Sequence, residues 1–320
     1  ILPEMLYQQF GDEEALPRQY ESMKLFVEAE IRKMGKKNLW IGPSLGDWLA
    51  MGKGIAWQAM HNNPVSNAFI VHDLKVISET AERLGKKADA DRYRRQLEAT
   101  TKAYIEKFVS KKGIVAKDYQ SAYIMALKFV LPEGELRELV KKNFAANIRK
   151  NGLQTGFFAT EHLLPLLVEA GETELAYDIL LQEGCPGWMY QIKCGATTTW
   201  ERWDALKPDG TVNEEKMAGS GDNMVSFNHY AFGSVGEFYY QYILGIKPQK
   251  PGFAELHFEP YPDRRLGGVS GSYLSRAGKI ESSWKYEEDG CHISLNTPVK
   301  SEVVLPDGKK ETVEAGTEMC

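Results

Sequence analysis

Apolar residues recur every third or fourth position through the first three quarters of the chain. This spacing is typical of helices with one buried face, and Lys36 and Lys37 follow the first of them, where cations favour a helix end. A helix over 222–244 is apolar on two sides, so it is predicted to be buried on both. Amphipathic helices alternating with helices apolar all round indicate an outer and an inner layer. The other predicted helices cover 16–35, 63–85, 88–110, 118–131, 134–150, 162–168 and 172–181.

Near residue 247 the pattern changes to alternation of apolar and polar residues, which is typical of half-buried strands. Asp289-Gly290 separates two such runs and predicts a hairpin turn, and 306–309 predicts another. We therefore expect a mainly α chain with a β domain. Residues 1–246 are predicted to form a helical domain, and residues 247–320 a small antiparallel β-sandwich. The alternating runs are 253–258, 280–286 and 292–295.

Composition and charge exclude several classes of partner. The 320 residues carry a formal net charge of −5, and Lys and Arg are spread along the chain, so we predict no nucleic-acid partner. No apolar run approaches the roughly 20 residues of a membrane span, so no membrane partner is predicted. Ile1 is not an initiator methionine and the first residues read as folded interior, so we expect the chain to begin partway through a longer protein. The compartment is left open.

The chain has neither a metal-binding nor a nucleotide-binding motif that we recognise. Its four cysteines lack CxxC spacing, and no glycine-rich phosphate loop, HExxH, GxSxG or EF-hand loop occurs. We therefore predict no metal and no cofactor. Cys185 and Cys194 allow a disulfide in an oxidising compartment, although free buried thiols are the favoured interpretation.

The stretch Gly195 to Asp204, with the sequence GATTTWERWD, is the strongest candidate for chemistry. It places Glu201 between two indoles and beside Arg202. One interpretation is a sugar site with a carboxylate that transfers protons, and the other is a buried Arg–Glu pair in an aromatic core. In the first, the Arg202 charge favours the ionised form of Glu201 against desolvation by the indoles.

Several short motifs occur in order along the chain. They are GDWL at 46–49, TGF at 155–157, PGWMY at 186–190, the stretch 195–204, SFNHY at 226–230 and GF at 252–253. Together they resemble motifs of bacterial α-L-rhamnosidases of glycoside hydrolase family 78, and the resemblance covers essentially the whole chain and matches the C-terminal part of such enzymes. It implies an (α/α)6 barrel, incomplete at its N-terminus, followed by the β-sandwich, and hydrolysis of terminal α-L-rhamnosyl residues with inversion.

The resemblance also implies roles for individual residues. Glu201 matches the family's general base, and inversion requires a second carboxyl group roughly 6.5–9.5 Å away. The family's acidic motif for the general acid has no match here, so we expect that acid upstream of this chain. Trp48, His229 and Asp47 are implied to contact the sugar; their alternatives are a core tryptophan, a core histidine near the start of the 222–244 helix, and a capping aspartate. Two further residues are expected to shape the pocket, Trp203 and Arg202.

Other functions stay open at this point. Another (α/α)6 glycosidase or a disaccharide phosphorylase fits the same pattern, although a phosphorylase needs a basic phosphate site and only Arg202 offers one. A non-catalytic carbohydrate-binding fragment is the alternative that the missing acid favours. The expected partners are rhamnose-containing oligosaccharides or glycosides. The sequence leaves the aglycone, the linkage and the presence of a homodimer undecided.

Overall fold

The computed structural model describes residues 1–214, 225–316 and 318–319. The chain divides into two compact units, one of residues 22–235 and one of residues 1–21 with 236–320. None of the described helices combines the length and apolarity needed to cross a membrane. The α-helices are α1 Leu2–Phe10, α2 Ala15–Met34, α3 Ile55–His61, α4 Asn63–Arg83, α5 Lys87–Phe108, α6 Gln120–Met125, α7 Glu135–Asn151, α8 Phe157–Glu169, α9 Thr173–Leu181, α10 Trp188–Lys193 and α11 Val235–Phe238.

The helices of the larger unit differ sharply in burial. Twelve residues of α4, all six of α6 and nine of the thirteen in α8 are buried. By contrast, α5 buries four of its 22 residues and α7 six of its 17, each along one side. This alternation of buried and one-sided helices is the pattern expected of inner and outer helices, and it confirms the mainly α prediction for this part of the chain.

The prediction of one helix over 222–244 is wrong for residues 225–230. Residues 222–224 lie outside the described residues, and no helix covers 225–230. A 3₁₀ turn forms at Ala231–Ser234, then α11, then a π-helical turn at Tyr239–Ile243. Backbone groups of 226–229 are bonded to 199–201 instead, as described below, so they are not free for a helical ladder. His229 consequently lies in a loop, contrary to expectation.

The smaller unit contains a sandwich of two four-stranded sheets. One sheet has the order β1-β2-β6-β7 and the other β3-β4-β5-β8. The expected hairpin at Asp289-Gly290 joins β4 to β5 in antiparallel register. The predicted small antiparallel β-sandwich is confirmed, with one difference among the described strands, because β2 and β6 pair in parallel. The strands are β1 Ile246–Pro248, β2 Leu256–Phe258, β3 Gly268–Ser275, β4 Gly278–Tyr286, β5 Cys291–Asn296, β6 Ser301–Val304, β7 Lys310–Val313 and β8 Glu318–Met319.

Apolar side chains from both sheets meet in one core. Leu256 and Phe258 of β2 are fully buried, as are Ile280 of β4 and Leu295 of β5. The alternation seen in the sequence therefore places these residues on the inner faces, as two packed sheets require. The Trp284 indole N–H also donates to the carbonyl oxygen of Ile243 over 2.7 Å, which satisfies the polar atom of a buried tryptophan.

Candidate active site

The loop of residues 46–50 is fastened to the first turn of α8 by Asp47. Its carboxylate accepts hydrogen bonds from the backbone N–H groups of Gly156, Phe158 and Ala159 at 2.7, 2.8 and 3.0 Å, and from the Ser121 hydroxyl at 2.5 Å. Backbone N–H groups at a helix N-terminus are otherwise unpaired, and the helix dipole favours an anion there. Complete burial raises the pKa of Asp47, and these four bonds oppose the rise.

Asp47 has no exposed surface, and it caps α8 rather than the segment that follows it in sequence. It positions the neighbouring Trp48, which is half-buried. The Trp48 carbonyl oxygen accepts a hydrogen bond from the Phe157 N–H at 3.0 Å. The loop and α8 are therefore joined through both side chain and backbone.

Gly156 permits this close approach. A Cβ atom at that position would lie 2.2 Å from the Trp48 carbonyl oxygen and 2.8 Å from both the Ala50 nitrogen and the Asp47 carbonyl oxygen. These neighbours are backbone atoms and cannot rotate away. The glycine of the TGF motif is thus required by space rather than by its backbone angles, since its φ is −96°.

Trp203 connects the same region to the WERW turn. Its indole N–H donates to the Thr155 carbonyl oxygen at 3.1 Å, and its ring stacks on Phe232 with centroids 3.8 Å apart. The Trp188 ring meets it edge-on at 5.0 Å. Trp203 is only 1% exposed, so it is enclosed by these neighbours, and its pocket-shaping role stays a prediction.

Glu201 is held by a pairing of two distant segments. Its backbone N–H donates to the Ser226 carbonyl oxygen at 2.9 Å, and its Oε2 accepts from the Ser226 N–H at 3.0 Å. The preceding Trp200 is buried, and its N–H donates to the Gln191 side-chain oxygen at 3.2 Å. With 7% exposure, the Glu201 side chain is nearly enclosed. The turn thus holds one carboxylate in a fixed and largely desolvated position.

The Arg202 side chain forms an ion pair with the carboxylate of Asp204. Its Nε and one terminal nitrogen donate to the two carboxylate oxygens of Asp204 at 3.1 and 3.0 Å. Asn213 donates to the same carboxylate at 2.9 Å. A two-bond ion pair therefore occupies one edge of the guanidinium, and the expected effect of Arg202 on the ionised form of Glu201 stays a prediction. Arg202 stabilises the turn through Asp204.

His229 lies in residues 226–229, the segment that is bonded to residues 199–201. Its backbone N–H donates to the Thr199 carbonyl oxygen at 2.9 Å, and the Thr199 hydroxyl donates to the His229 carbonyl oxygen at 2.6 Å. The ring packs against Phe157 with centroids 4.7 Å apart. Its Nδ1 accepts from the Ala231 N–H at 3.3 Å, so a neutral ring carries its proton on Nε2. His229 can therefore offer a hydrogen-bond donor.

The candidate residues form one connected set within residues 22–235. Asp47 and Trp48 meet α8, Thr155 and Phe157 at the start of α8 meet Trp203 and His229, and the 199–201 segment pairs with 226–229. The TGF motif and the WERWD stretch contain some of the linking residues, namely Thr155, Phe157 and Asp204. Sequence reasoning missed Ser121 and Gln191, which nothing in the local sequence marked as partners.

Metal and thiol chemistry have little support among the described residues. One exposed group, Glu287, Asp289 and His292 in the β4–β5 hairpin, has ligand atoms close enough to share an ion. The His292 Nε2 is bonded to Asp289 over 2.7 Å, a contact that raises the pKa of His292. Cys185 and Cys194 are free thiols, in agreement with the favoured prediction, but Cys185 is exposed rather than buried.

Two family models match the chain. The model described as a bacterial alpha-L-rhamnosidase 6 hairpin glycosidase domain covers residues 1–243, and that of the bacterial alpha-L-rhamnosidase C-terminal domain covers 245–319. The alpha-L-rhamnosidase of Alteromonas sp. (strain LOR) is 35% identical over 317 residues, which is 96% of this chain and 34% of the relative. The chain thus spans about a third of that relative's length.

Solved structures of alpha-L-rhamnosidases are also similar to this chain. The crystal structure of the Streptomyces avermitilis alpha-L-rhamnosidase complexed with L-rhamnose matches with a TM-score of 0.89 and 30% identity, covering 99% of this chain and 32% of that one. The native enzyme from Aspergillus terreus matches with a TM-score of 0.90 and 29% identity, covering 99% and 38% of the two chains. Both similarities extend over the helical and the β-rich parts of this chain.

Proposed function

Since the chain belongs to the bacterial α-L-rhamnosidase family, we propose that it supplies the general base and much of the sugar pocket of an inverting α-L-rhamnosidase. The observation that carries this proposal is the fixed position of Glu201, nearly enclosed and bonded to the Ser226 N–H through Oε2. None of the described residues donates a hydrogen bond to Oε1, which we assign to the attacking water. Glu201 takes a proton from that water as it attacks the anomeric carbon.

The second carboxyl group is assigned outside this chain. Asp47 is fully buried with four hydrogen bonds, and Asp204 is bonded to both Arg202 and Asn213. Neither carboxylate is placed to protonate a leaving group. We propose that the general acid comes from another part of a protein of the relatives' length.

We propose distinct roles for the residues around the base. Half-buried Trp48 offers an apolar surface to the sugar ring, and His229 donates from Nε2 to a hydroxyl group. Asp47, Trp203 and Arg202 act as positioning residues, since each is committed to bonds within the protein. The Arg202–Asp204 pair also disfavours the phosphorylase alternative, because it occupies the expected phosphate-binding cation.

We also propose a division of the chain into a catalytic domain and an accessory domain. We assign catalysis to residues 1–246 and an accessory role to the β-sandwich of residues 247–320. The two family models meet between residues 243 and 245, which is close to this boundary.

The decisive variant is Glu201→Gln in a protein of the relatives' length that contains this chain. We expect turnover of p-nitrophenyl α-L-rhamnoside to fall by about 10²–10⁴-fold, the usual contribution of a general base. Glu98→Gln, the same change at an exposed position of α5, is the matched control and should leave turnover unchanged. NMR of the first product should show the inverted anomer. Near-normal activity of Glu201→Gln, or retention of configuration, would contradict the proposal.

The 320 residues alone test the assignment of the acid. We expect them to fold and to show little or no turnover of the same substrate. Robust turnover would place the general acid within this chain and would overturn the assignment made above.

A further inference from the structure

A groove of about 1030 Å³ lies beside the loop that carries Trp48. Its walls come from the segment that includes α3, from the 106–120 region and from the end of α7. Met51 and Gln154 line it and are joined by a hydrogen bond of 3.1 Å between the Met51 N–H and the Gln154 carbonyl oxygen. Trp48 and Gly156 are three and two residues away along the same segments, so the segments that carry them continue into the wall of the groove.

The side chains that line the groove suit hydroxyl-rich ligands. Among them are Asn63, Ser110, Asn151 and Gln154, which present amide and hydroxyl groups. Trp57 adds an aromatic ring that is only half-buried, and the Lys53 Nζ lies over this ring, 4.5 Å from its centroid. Concave sites of this kind, with an apolar surface and several polar groups, are typical of ligand binding. The volume lies at the upper end of the usual range for small-molecule sites, so it has room for more than one ring.

The polar floor of the groove is built and not merely exposed. Gln120 and Asn147 line it although they are only 3% and 5% exposed. The Gln120 amide donates to Asn147 at 3.0 Å and its oxygen accepts from the Gln154 N–H at 2.8 Å. The Asn147 amide in turn donates to the Asp118 carbonyl oxygen at 3.0 Å. This network fixes three parts of the wall relative to one another.

The backbone of the same wall is held in an uncommon conformation. Ala116, Lys117 and Asp118 have φ values of 43°, 58° and 71°, a region that residues other than glycine rarely adopt. Their conformation persists because Asn147 holds the Asp118 carbonyl oxygen and the Tyr123 hydroxyl donates to the Asp118 carboxylate at 2.9 Å. Backbone strain of this kind is often found at ligand sites.

The Trp57 ring is also fixed in place. The His61 ring stacks parallel to it at 4.6 Å, and the Tyr119 ring meets it edge-on at 5.1 Å. The Tyr119 hydroxyl donates to the buried Asn62 side chain at 3.0 Å. A preorganised aromatic group loses little conformational entropy when a ligand binds.

From these observations we propose that the groove binds the sugar chain to which the rhamnosyl group is attached, so that the preferred substrate is an oligosaccharide. This inference rests on the proposed function, because it places the leaving-group side of the substrate next to Trp48. The polar side chains hydrogen-bond the sugar hydroxyls, and Trp57 contacts an apolar part of the sugar chain on the face over which the Lys53 ammonium lies in this structure.

The test compares two substrates in a protein of the relatives' length that contains this chain. One is p-nitrophenyl α-L-rhamnoside, and the other is a trisaccharide with a terminal α-L-rhamnosyl group on two neutral hexoses. We expect Trp57→Ala to lower kcat/KM for the trisaccharide on the order of tenfold, and to leave the value for the aryl rhamnoside within about twofold. Asn151→Ala, an exposed truncation that spares the fold, should act in the same direction. Lys142→Ala, on α7 but outside the groove, is the control.

The possible outcomes separate this inference from the proposed function. Equal losses for both substrates, or no loss for either in both variants, would overturn the groove assignment. If the wild-type protein hydrolyses neither substrate, the proposed function fails, and calorimetric titration with the neutral disaccharide decides the groove. Binding by the wild type that Trp57→Ala abolishes supports a glycan groove, whereas no heat of binding with the wild type contradicts it.

Discussion

Replacement of Gly156 by alanine tests whether the Trp48 loop is held against α8 by close backbone contact. The added Cβ atom would lie 2.2 Å from the Trp48 carbonyl oxygen. An ordinary C···O contact is about 3.3 Å or longer, so the two backbones must separate by roughly 1 Å. That displacement stretches the 3.0 Å bond from the Phe157 N–H and moves Asp47 away from its partners in α8.

The expected cost follows from these contacts. Overpacking a tight site costs about 1–3 kcal/mol, and losing one or two buried hydrogen bonds adds about 1–3 kcal/mol. We therefore expect Gly156→Ala to lower the free energy of unfolding of the helical unit by about 2–6 kcal/mol. For a unit of this size that corresponds to a fall in Tm of roughly 4–24 °C.

The assay is thermal unfolding of the 320-residue chain followed by far-UV circular dichroism. Gly184→Ala is the matched control, because no atom lies within 4 Å of the added Cβ and its φ is not in the left-handed region. We expect that control to melt within about 2 °C of the wild type, since the same substitution meets open space. If Gly156→Ala has the same melting temperature as Gly184→Ala, the close-contact explanation is refuted.

Two further predictions concern buried titratable side chains. Asp47→Asn keeps one accepting oxygen but presents an NH₂ group to the Gly156 N–H. We therefore expect the free energy of unfolding, measured in urea, to fall by about 2 kcal/mol, and an unchanged urea midpoint would contradict this prediction. Burial lowers the pKa of His162 to about 3 from 6.5, so its contribution to stability is present above pH 6.5 and is lost as the pH falls toward 3. Between pH 7 and pH 5, we expect the free energy of unfolding of the wild type to fall by about 2 kcal/mol more than that of His162→Leu, measured by urea unfolding at each pH. Equal losses in the two proteins would contradict the lowered pKa of His162.

Long helices could be predicted because their signals are local. The helix α4 was expected over 63–85 and is found at Asn63–Arg83, with Pro64 in its first turn and Gly85 just after its end. The helix α10 was missed because six residues are too few to show a period. It is held by tertiary contacts instead, such as the Trp188 indole N–H on the Phe232 carbonyl oxygen at 2.9 Å.

The β-sandwich shows the same division between local and distant signals. Alternation and the Asp289-Gly290 turn were sufficient to predict the β4–β5 hairpin. The parallel pairing of β2 with β6 joins Leu256 to Ser301 across a long connection. No period in either strand indicates its partner, so the sequence could not show that one pair is parallel.

The bonding of the candidate site was the least predictable part, although its residues had been named. Glu201 and Asp204 are both close to Arg202 in sequence, and the turn of the backbone decides which carboxylate the guanidinium meets. That turn is itself set by Ser226, which bonds both the Glu201 N–H and its Oε2 from 25 residues away. The same pairing removes His229 from the predicted helix. Because the position of the proposed base depends on this pairing, residues 226–229 govern the geometry of Glu201 as directly as its own neighbours in the WERW motif.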